Sequence, residues 1–372
     1  MKIAILHDLL VKLGGAEKVL EKIIKMYPNA DLFTLIYDEK KVAKVFPKEK
    51  IKDIPKITQN IYDLTKNQRL CLLFMSRAIE SIDLSGYDIV IALNSAFVHG
   101  AITKPETKFI VYYHSPTRYL WDWTNEYKKE IGWNKGLKGL ILNSVFKNIR
   151  IWDYIASKRH NITLANSLNV KKRIKKYYGL DAEVIYPNVE TKRFDKEILG
   201  EYKKPFKNYH IIISTLAKYK NIEMTVNNFN KMPEKNLVIV GSGAQKEYLQ
   251  SIANKNIYFS GFIPDEELIF LLKNSDGLIF SGEEDFGITP IEAFGAGKPV
   301  FAYRGGGLEE TMVEGITGDF FDSLDGKDFI KKFLAYDEKI KKNKFDENSI
   351  KEIASKYDED IFEKKIREVV GF

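Results

Sequence analysis

Short runs rich in valine and isoleucine recur along this chain, and stretches with helical spacing separate them. In the first half the runs are 2–7, 87–93, 108–114, 160–166 and 182–187; in the second they are 209–215, 236–242, 257–262, 276–282 and 298–303. Between them, 16–27 places Val19, Leu20, Ile23 and Ile24 on one face, and 169–178, 265–275 and 363–370 carry the same period. Apolar strands alternating with helices predict parallel sheets built from strand–helix–strand units, so the fold class is α/β. A polar, proline-flanked stretch without clear period, 187–208, divides the chain into two such halves and reads as a linker. Two domains also suit a length of 372 residues.

A single cysteine, Cys71, lies in an apolar run. One thiol forms no internal disulfide, so a reducing compartment is expected and Cys71 reads as a small buried hydrophobe. No apolar stretch reaches the roughly 18 residues of a spanning helix, and the first apolar run is too short for a signal peptide. The expected location is the cytoplasm. The net charge of +7, from 58 basic and 51 acidic residues, is mild and reads first as a solvated, lysine-rich surface. Residues 128–159 are more biased: lysines and arginines outnumber Glu130 and Asp153, with Trp133, Phe146 and Trp152 between them. That mixture suits an anionic membrane surface, reached from the inner face. No nucleic-acid-binding signature accompanies it.

The segment 281–300 (SGEEDFGITPIEAFGAGKPV) carries the chemistry. A strand ends at Gly282, a loop runs from Glu283 to Ile288, and Thr289-Pro290-Ile291-Glu292 has the form of a capping box with proline at the first helical position. Gly297 can end that helix, and Pro299 forbids its continuation. On local grounds Glu292 simply caps its own helix. By position it does more. Ligands of open α/β sheets bind beyond the carboxyl ends of strands, and a helix N-terminus there favours an anion. Carboxylates at that place accept from vicinal hydroxyls, so Glu284 and Glu292 suit a ligand with both an anion and diols, as a nucleotide sugar has. Glu284 also reads as a solvated loop acid. A metal site lacks partner histidines nearby.

Three further spots lie past strand ends. Gly14 and Gly15 stand between a strand and a helix, where a backbone can approach a phosphate or simply turn. The glycines of 303–311 repeat that pattern. Lys218 and Lys220 follow another strand, as solvated lysines or as partners of a diphosphate. Gly241 and Gly243 only loosely echo a dinucleotide loop. His114 closes the strand 108–114, with Arg118 close behind.

Together these stretches resemble family 4 of the retaining glycosyltransferases, whose fold is GT-B, and most closely its bacterial mannosyltransferases of O-antigen and capsule synthesis. The resemblance runs nearly end to end, through HDLLVKLGGAEKVL, FTLIYD, DLSGYDIVIALNSAFVHG, YYHSPTRYLWD, ANSLNVKKRIKKYYG, VIYPNVETKRF, GEEDFGITPIEAFGAGKPV and GITGDFF. It implies two Rossmann-like domains with parallel sheets facing across a cleft: 1–190 for the acceptor, 191–350 for the nucleotide sugar, and 351–372 as a helix crossing back. By the resemblance, Glu292 holds the ribose hydroxyls, and Glu284 with the backbone of Phe286, Gly287, Ile288 and Thr289 holds the donor sugar. Lys220, with Lys218, and the amides of Gly14 and Gly15 meet the diphosphate. Gly241, Gly243 and Ile263 lie near the base. His114 and Glu284 stand at the reacting centre, and Arg118 on the acceptor side.

The implied reaction moves a hexose with retention, mannose from GDP-mannose, onto a lipid-linked or growing polysaccharide acceptor. It needs neither a cofactor nor a metal. The only literal Asp-x-Asp, Asp358-Glu359-Asp360, falls in the C-terminal helical segment. A UDP-sugar donor and a GT-B-shaped accessory subunit without turnover are the alternatives. The second is raised by Thr215, which stands where the family has an arginine on the diphosphate. A hydroxyl there forgoes a charge-assisted pair worth about 1.5–3 kcal/mol. Asn221 likewise replaces a common arginine.

Overall fold

The computed structural model describes residues 1–133 and 135–371. Asn134, inside the lysine-rich stretch, and Phe372, at the end of the expected C-terminal helix, lie outside them. The chain divides into two compact units, Met1–Tyr186 with Glu363–Phe372, and Pro187–Phe362.

Among the described residues each unit is built on one all-parallel sheet. The first contains β1 (Ile3–Leu10), β2 (Asp31–Tyr37), β3 (Ile51–Asp53), β4 (Ile89–Asn94), β5 (Lys108–Tyr113), β6 (Ile162–Ala165) and β7 (Glu183–Val184), in the order β3-β2-β1-β4-β5-β6-β7. The second contains β8 (His210–Ile213), β9 (Leu237–Val240), β10 (Ile257–Gly261), β11 (Gly277–Phe280), β12 (Val300–Tyr303) and β13 (Gly318–Phe321), in the order β10-β9-β8-β11-β12-β13. Burial explains the sequence pattern. Every residue of β4, β9 and β11 is inaccessible, because helices cover both faces of a parallel sheet, so these strands read as continuous apolar runs. Strands β2, β3 and β13 go beyond the ten runs expected from the sequence.

In both sheets the order reverses between the first strand and the fourth, between β1 and β4 and between β8 and β11. That reversal point is where an open α/β sheet leaves a crevice at its carboxyl edge. The expected linker 187–208 is ordered at its start. Val189 bridges to Asp358, and Thr191–Asp195 forms a 3₁₀ turn with Thr191 and Phe194 buried. From Glu363 the last helix (Glu359–Val370) packs within the first unit: Glu363 pairs with Lys22 at 3.0 Å, and the Lys108 ammonium donates to the Val369 carbonyl at 2.7 Å. Cys71 is buried as expected, and burial pushes its thiol pKa up.

Candidate functional site

The carboxyl edge of the second sheet gathers most of the residues the sequence singles out. Beyond β11 the chain turns through Gly287, whose φ of 89° only glycine adopts readily, and a Cβ there would lie 2.7 Å from a Leu308 methyl. The helix that follows is Ile288–Gly295, so it begins one residue before Thr289, with Gly287 in the cap position and no side-chain cap. The capping box is therefore not formed, and Glu292 sits inside the helix. Its buried carboxylate Oε1 instead accepts from Arg193 Nη2 at 2.9 Å, while Arg193 Nη1 donates to Asp265 at 2.9 Å. The other end matches expectation. Gly297 turns left-handed at φ 70°, Lys298 N–H reaches the Ala293 carbonyl at 2.8 Å, and Pro299 follows.

The loop carrying Glu284 rests on Gly306 and Gly307. Gly307 N–H donates to the Glu284 carbonyl at 2.8 Å, and a Cβ on Gly306 would lie 2.1 Å from that same oxygen. These glycines let two backbones touch, which accounts for the Gly-rich stretch without a phosphate. Phe286 anchors the loop by burying its ring edge-on to Tyr357, centroids 5.7 Å apart. The Glu284 carboxylate forms an ion pair with Lys220. Lys220 ends the 3₁₀ turn Lys218–Lys220 beyond β8, close enough that a Cβ on Gly282 would lie 3.1 Å from its Cα. Lys218 and Thr215 are exposed beside it, and Ile263 is half-buried beyond β10.

Gly241 and Gly243 are also explained by packing. Their Cβ atoms would stand 2.0 Å from the Ser214 carbonyl and 2.4 Å from that of Leu216, where the ends of β8 and β9 meet. Arg193 escaped the sequence reading. It lies in the polar stretch taken for a linker, 99 positions from its partner. The one local signal is Phe194, the aromatic ring under its guanidinium at 4.8 Å.

In the first unit the expected residues fall at the carboxyl edge of the other sheet. Gly14 precedes the helix Gly15–Met26 in extended backbone, and a Cβ there would lie 3.0 Å from Glu17 Oε2. Glu17 is buried against His7, Oε1 to Nε2 3.4 Å. Burial pushes the Glu17 carboxyl up, but the His7 hydrogen bond and charge outweigh it and leave the pKa lowered. His114 follows β5, its N–H on the Asn94 carbonyl at 2.8 Å. Burial, and then His7, hold the His114 pKa down at about 3, so its imidazole is neutral and offers one donor or acceptor to a hydroxyl. His7 Nδ1 and His114 Nε2 are buried without a hydrogen-bond partner among the described residues. The Arg118 guanidinium stacks on Trp123 at 4.7 Å. Asp8 accepts four backbone N–H groups, from Ser95, Ala96, Phe97 and Val98, at 2.6, 2.8, 2.6 and 3.0 Å.

The aromatic residues of 128–159 are not where a membrane face needs them. Phe146 is fully buried, and Trp152 packs on Phe97 and donates to Glu80 at 2.8 Å, since both point into the core from the helix Gly136–Ala156. Of the three, only Trp133 is exposed, though Tyr154 in the same stretch is exposed as well. Among the described residues no helix is long and apolar enough to cross a membrane, and no group of three or more His, Cys, Asp or Glu is placed to hold a metal. Asp358 of the literal Asp-x-Asp is buried and paired with Lys192 at 2.9 Å.

Residues 192–352 match the family model described as glycosyl transferases group 1. Among curated proteins, the α-1,3/1,6-mannosyltransferase ALG2 of Dictyostelium discoideum is 27% identical over 44% of this chain and 49% of its own. A GDP-mannose-dependent phosphatidylinositol monomannoside mannosyltransferase of Mycolicibacterium smegmatis is 28% identical over 40% of this chain and 42% of its own. The sulfoquinovosyl transferase SQD2 of Arabidopsis thaliana is 27% identical over 46% of this chain and 33% of its own. The chain thus spans half or less of the length of these relatives. Among solved structures, Anabaena HepE in complex with UDP superposes with a TM-score of 0.70 at 16% identity, over 100% of this chain and 99% of that one. WaaG, a glycosyltransferase of lipopolysaccharide biosynthesis, gives 0.65 at 13% identity over the whole of both chains. The fold is GT-B: two α/β units, each on a parallel sheet.

Proposed function

We propose that the chain is a retaining glycosyltransferase that takes a hexose from a nucleotide sugar and passes it to a lipid-linked or growing polysaccharide acceptor. The observation that carries this is the pairing at the edge of the second sheet. Two carboxylates, Glu284 and Glu292, are each held by one cation, Lys220 and Arg193, beside the start of a helix and within the segment that matches the family. Glu292 takes the ribose hydroxyls. Glu284 and the backbone of Phe286–Thr289 take the sugar, and Lys220 with Lys218 neutralises the diphosphate. His114 lies at the sugar, Gly14 and Gly15 at the phosphate, and Arg118 on the acceptor side. The acceptor oxygen bonds to the anomeric carbon on the face that the phosphate leaves, and the departing phosphate oxygen takes the acceptor proton. No protein base or metal is called upon.

GDP-mannose is the donor favoured by the mannosyltransferases among the relatives. UDP is the nucleotide in the solved HepE complex, which makes a UDP-sugar the alternative. The reaction is placed on the cytoplasmic side of the membrane.

Calorimetry with GDP, UDP, ADP and CDP, with and without EDTA, on the wild type and Glu292→Gln tests the reading. One diphosphate should bind in EDTA, and the variant should bind it roughly tenfold to a hundredfold more weakly, as loss of a charged acceptor implies. The winning base names the donor class. No binding by any nucleotide sinks the proposal, and loss of binding in EDTA overturns its metal independence. Binding without donor hydrolysis or transfer points to the accessory subunit that Thr215 suggests.

A further inference from the structure

The second unit carries a cleft of about 580 Å³ between the helix Ile222–Phe229 and the loop that follows β13. That volume suits a small ligand. No residue assigned to the donor lines it. It begins at Asn221, one position past Lys220, whose Nδ2 donates to the Leu324 carbonyl at 2.8 Å and so ties the two walls together.

The lining selects the chemistry. Its formal charges cancel, Glu223 and Asp325 against Lys231 and Lys327. Both acids are already engaged: Asp325 pairs with Lys327 at 2.7 Å, and Glu223 accepts from the Tyr248 hydroxyl at 2.7 Å. No net field draws an anion or a cation into the cleft. What it offers instead is carboxamides. Asn227 is exposed, and its side chain makes no hydrogen bond among the described residues. Asn228 is 6% exposed, and its Nδ2 is held on the Met224 carbonyl at 2.8 Å, which leaves Oδ1 as a fixed acceptor. A carboxamide both donates and accepts, and so does a hydroxyl, so these groups match an uncharged ligand rich in hydroxyls. The Tyr248 ring, 46% exposed and fixed through its bond to Glu223, stands at the edge. An aromatic face held there suits the C–H face of a pyranose.

We infer that this cleft is a second saccharide site, taking an uncharged segment of an oligosaccharide chain apart from the donor sugar. Asn227 and Asn228 bond its hydroxyls, and Tyr248 stacks on a ring. Holding a growing chain on the donor unit raises its local concentration at the transfer site. That use rests on the proposed transferase reading, whereas the binding itself does not.

The test is affinity electrophoresis of the full chain in native gels holding galactomannan, dextran or polygalacturonate, beside calorimetry with GDP and UDP. The wild type should be retarded by at least one of the two neutral polymers. Asn227→Trp removes the carboxamide and fills the cleft, so it should weaken that binding at least about tenfold. Tyr248→Ala removes the ring and should cost about threefold to tenfold. Both side chains are exposed, so circular dichroism and nucleotide affinity should hold. No retardation by either neutral polymer, retardation by polygalacturonate alone, or an Asn227→Trp variant retarded like the wild type overturns the inference. So does a fall in nucleotide affinity in both variants, which would make the cleft part of the donor site. A wild type that binds a neutral polymer through Asn227 but neither nucleotide keeps the inference and counts against the transferase reading alone.

Discussion

The two sheets reverse their strand order at equivalent places, yet the crevices there are filled differently. At the first, between β1 and β4, the loop Ser95–Val98 turns four N–H groups onto the carboxylate of Asp8. That is an anion-binding nest with an anion of the protein's own already in it. At the second, between β8 and β11, the loop after β11 is held by backbone contact with Gly306 and Gly307, and its carboxylate faces Lys220 instead. At the first crevice, the nest holds the protein's own anion, with a cavity of about 200 Å³ lined by Asp8, Leu9, Ala96, Phe97 and Tyr119 beside it. The other places charged side chains where a ligand can exchange with them. Equal topology therefore does not give equal sites, and the proposed function places the donor in the second unit.

The largest effect that could break this contrast is at Asp8. Asp8→Asn removes one acceptor and turns an amide N–H₂ toward converging donors, which should destabilise the first unit by about 3–5 kcal/mol. All four tryptophans, at 121, 123, 133 and 152, lie in that unit, so fluorescence follows it alone. The urea midpoint by fluorescence should fall sharply while nucleotide affinity at low urea holds. If affinity falls and the midpoint does not, Asp8 belongs to a ligand site and the contrast is wrong.

Gly306→Ala tests the other side. Its φ of 64° and the 2.1 Å approach to the Glu284 carbonyl mean the loop must move. Left-handed strain and overpacking together amount to about 2–4 kcal/mol. Diphosphate affinity should drop at least tenfold with the tryptophan-reported midpoint unchanged. Wild-type affinity in a folded variant would mean that Glu284's loop does not hold the donor.

The same contrast governs what could be read without coordinates. Strand β11 and its loop were legible because the chemistry is contiguous: Glu284, Gly287 and Glu292 stand within nine residues, bounded by an apolar run and Pro299. The partner of Glu292 was not, because Arg193 reaches it only through tertiary packing. Periodicity cannot see a short 3₁₀ turn with two buried residues inside a polar stretch. The capping box failed for a local reason. Gly287 opens the helix one residue before Thr289, and no rule for Thr-x-x-Glu includes a left-handed glycine ahead of it. The aromatics at 146 and 152 misled because composition cannot say which face of a helix is buried.

Acid should separate the units next. His114 and His160 in the first unit are held neutral by burial, with pKa values of about 3, and His210 in the second at about 4. Unfolded, each takes up a proton near pH 6.5, so the unfolded state binds more protons below that pH. Their contribution is complete above about 6.5 and is lost as pH falls toward the folded values, by about 1.4 kcal/mol per pH unit for each histidine. Between roughly pH 6.5 and 5, above the ordinary carboxylate range, the first unit should lose stability about twice as steeply as the second. Fluorescence against far-ultraviolet dichroism would show it, and His160→Asn should abolish the difference. Parallel losses would remove the histidines as its cause.

The smallest effect sharpens the contrast by adding a charge. Thr215 is exposed past β8, beside the turn Lys218–Lys220, where the resemblance leads one to expect an arginine. If that crevice holds the diphosphate, Thr215→Arg brings a permanent bidentate donor toward it. The gain should be near the lower end of a charge-assisted bond, about 1.5 kcal/mol or roughly tenfold in affinity, because two lysines already occupy the neighbourhood and repel the newcomer. Adding a cation at the first nest, as in Ser95→Arg, should leave affinity alone, since Asp8 already satisfies that loop. A Thr215→Arg gain in both affinity and turnover would make Thr215 the reason for a weak donor site. Unchanged affinity would mean Lys218 and Lys220 suffice, and the accessory-subunit reading would lose its main support.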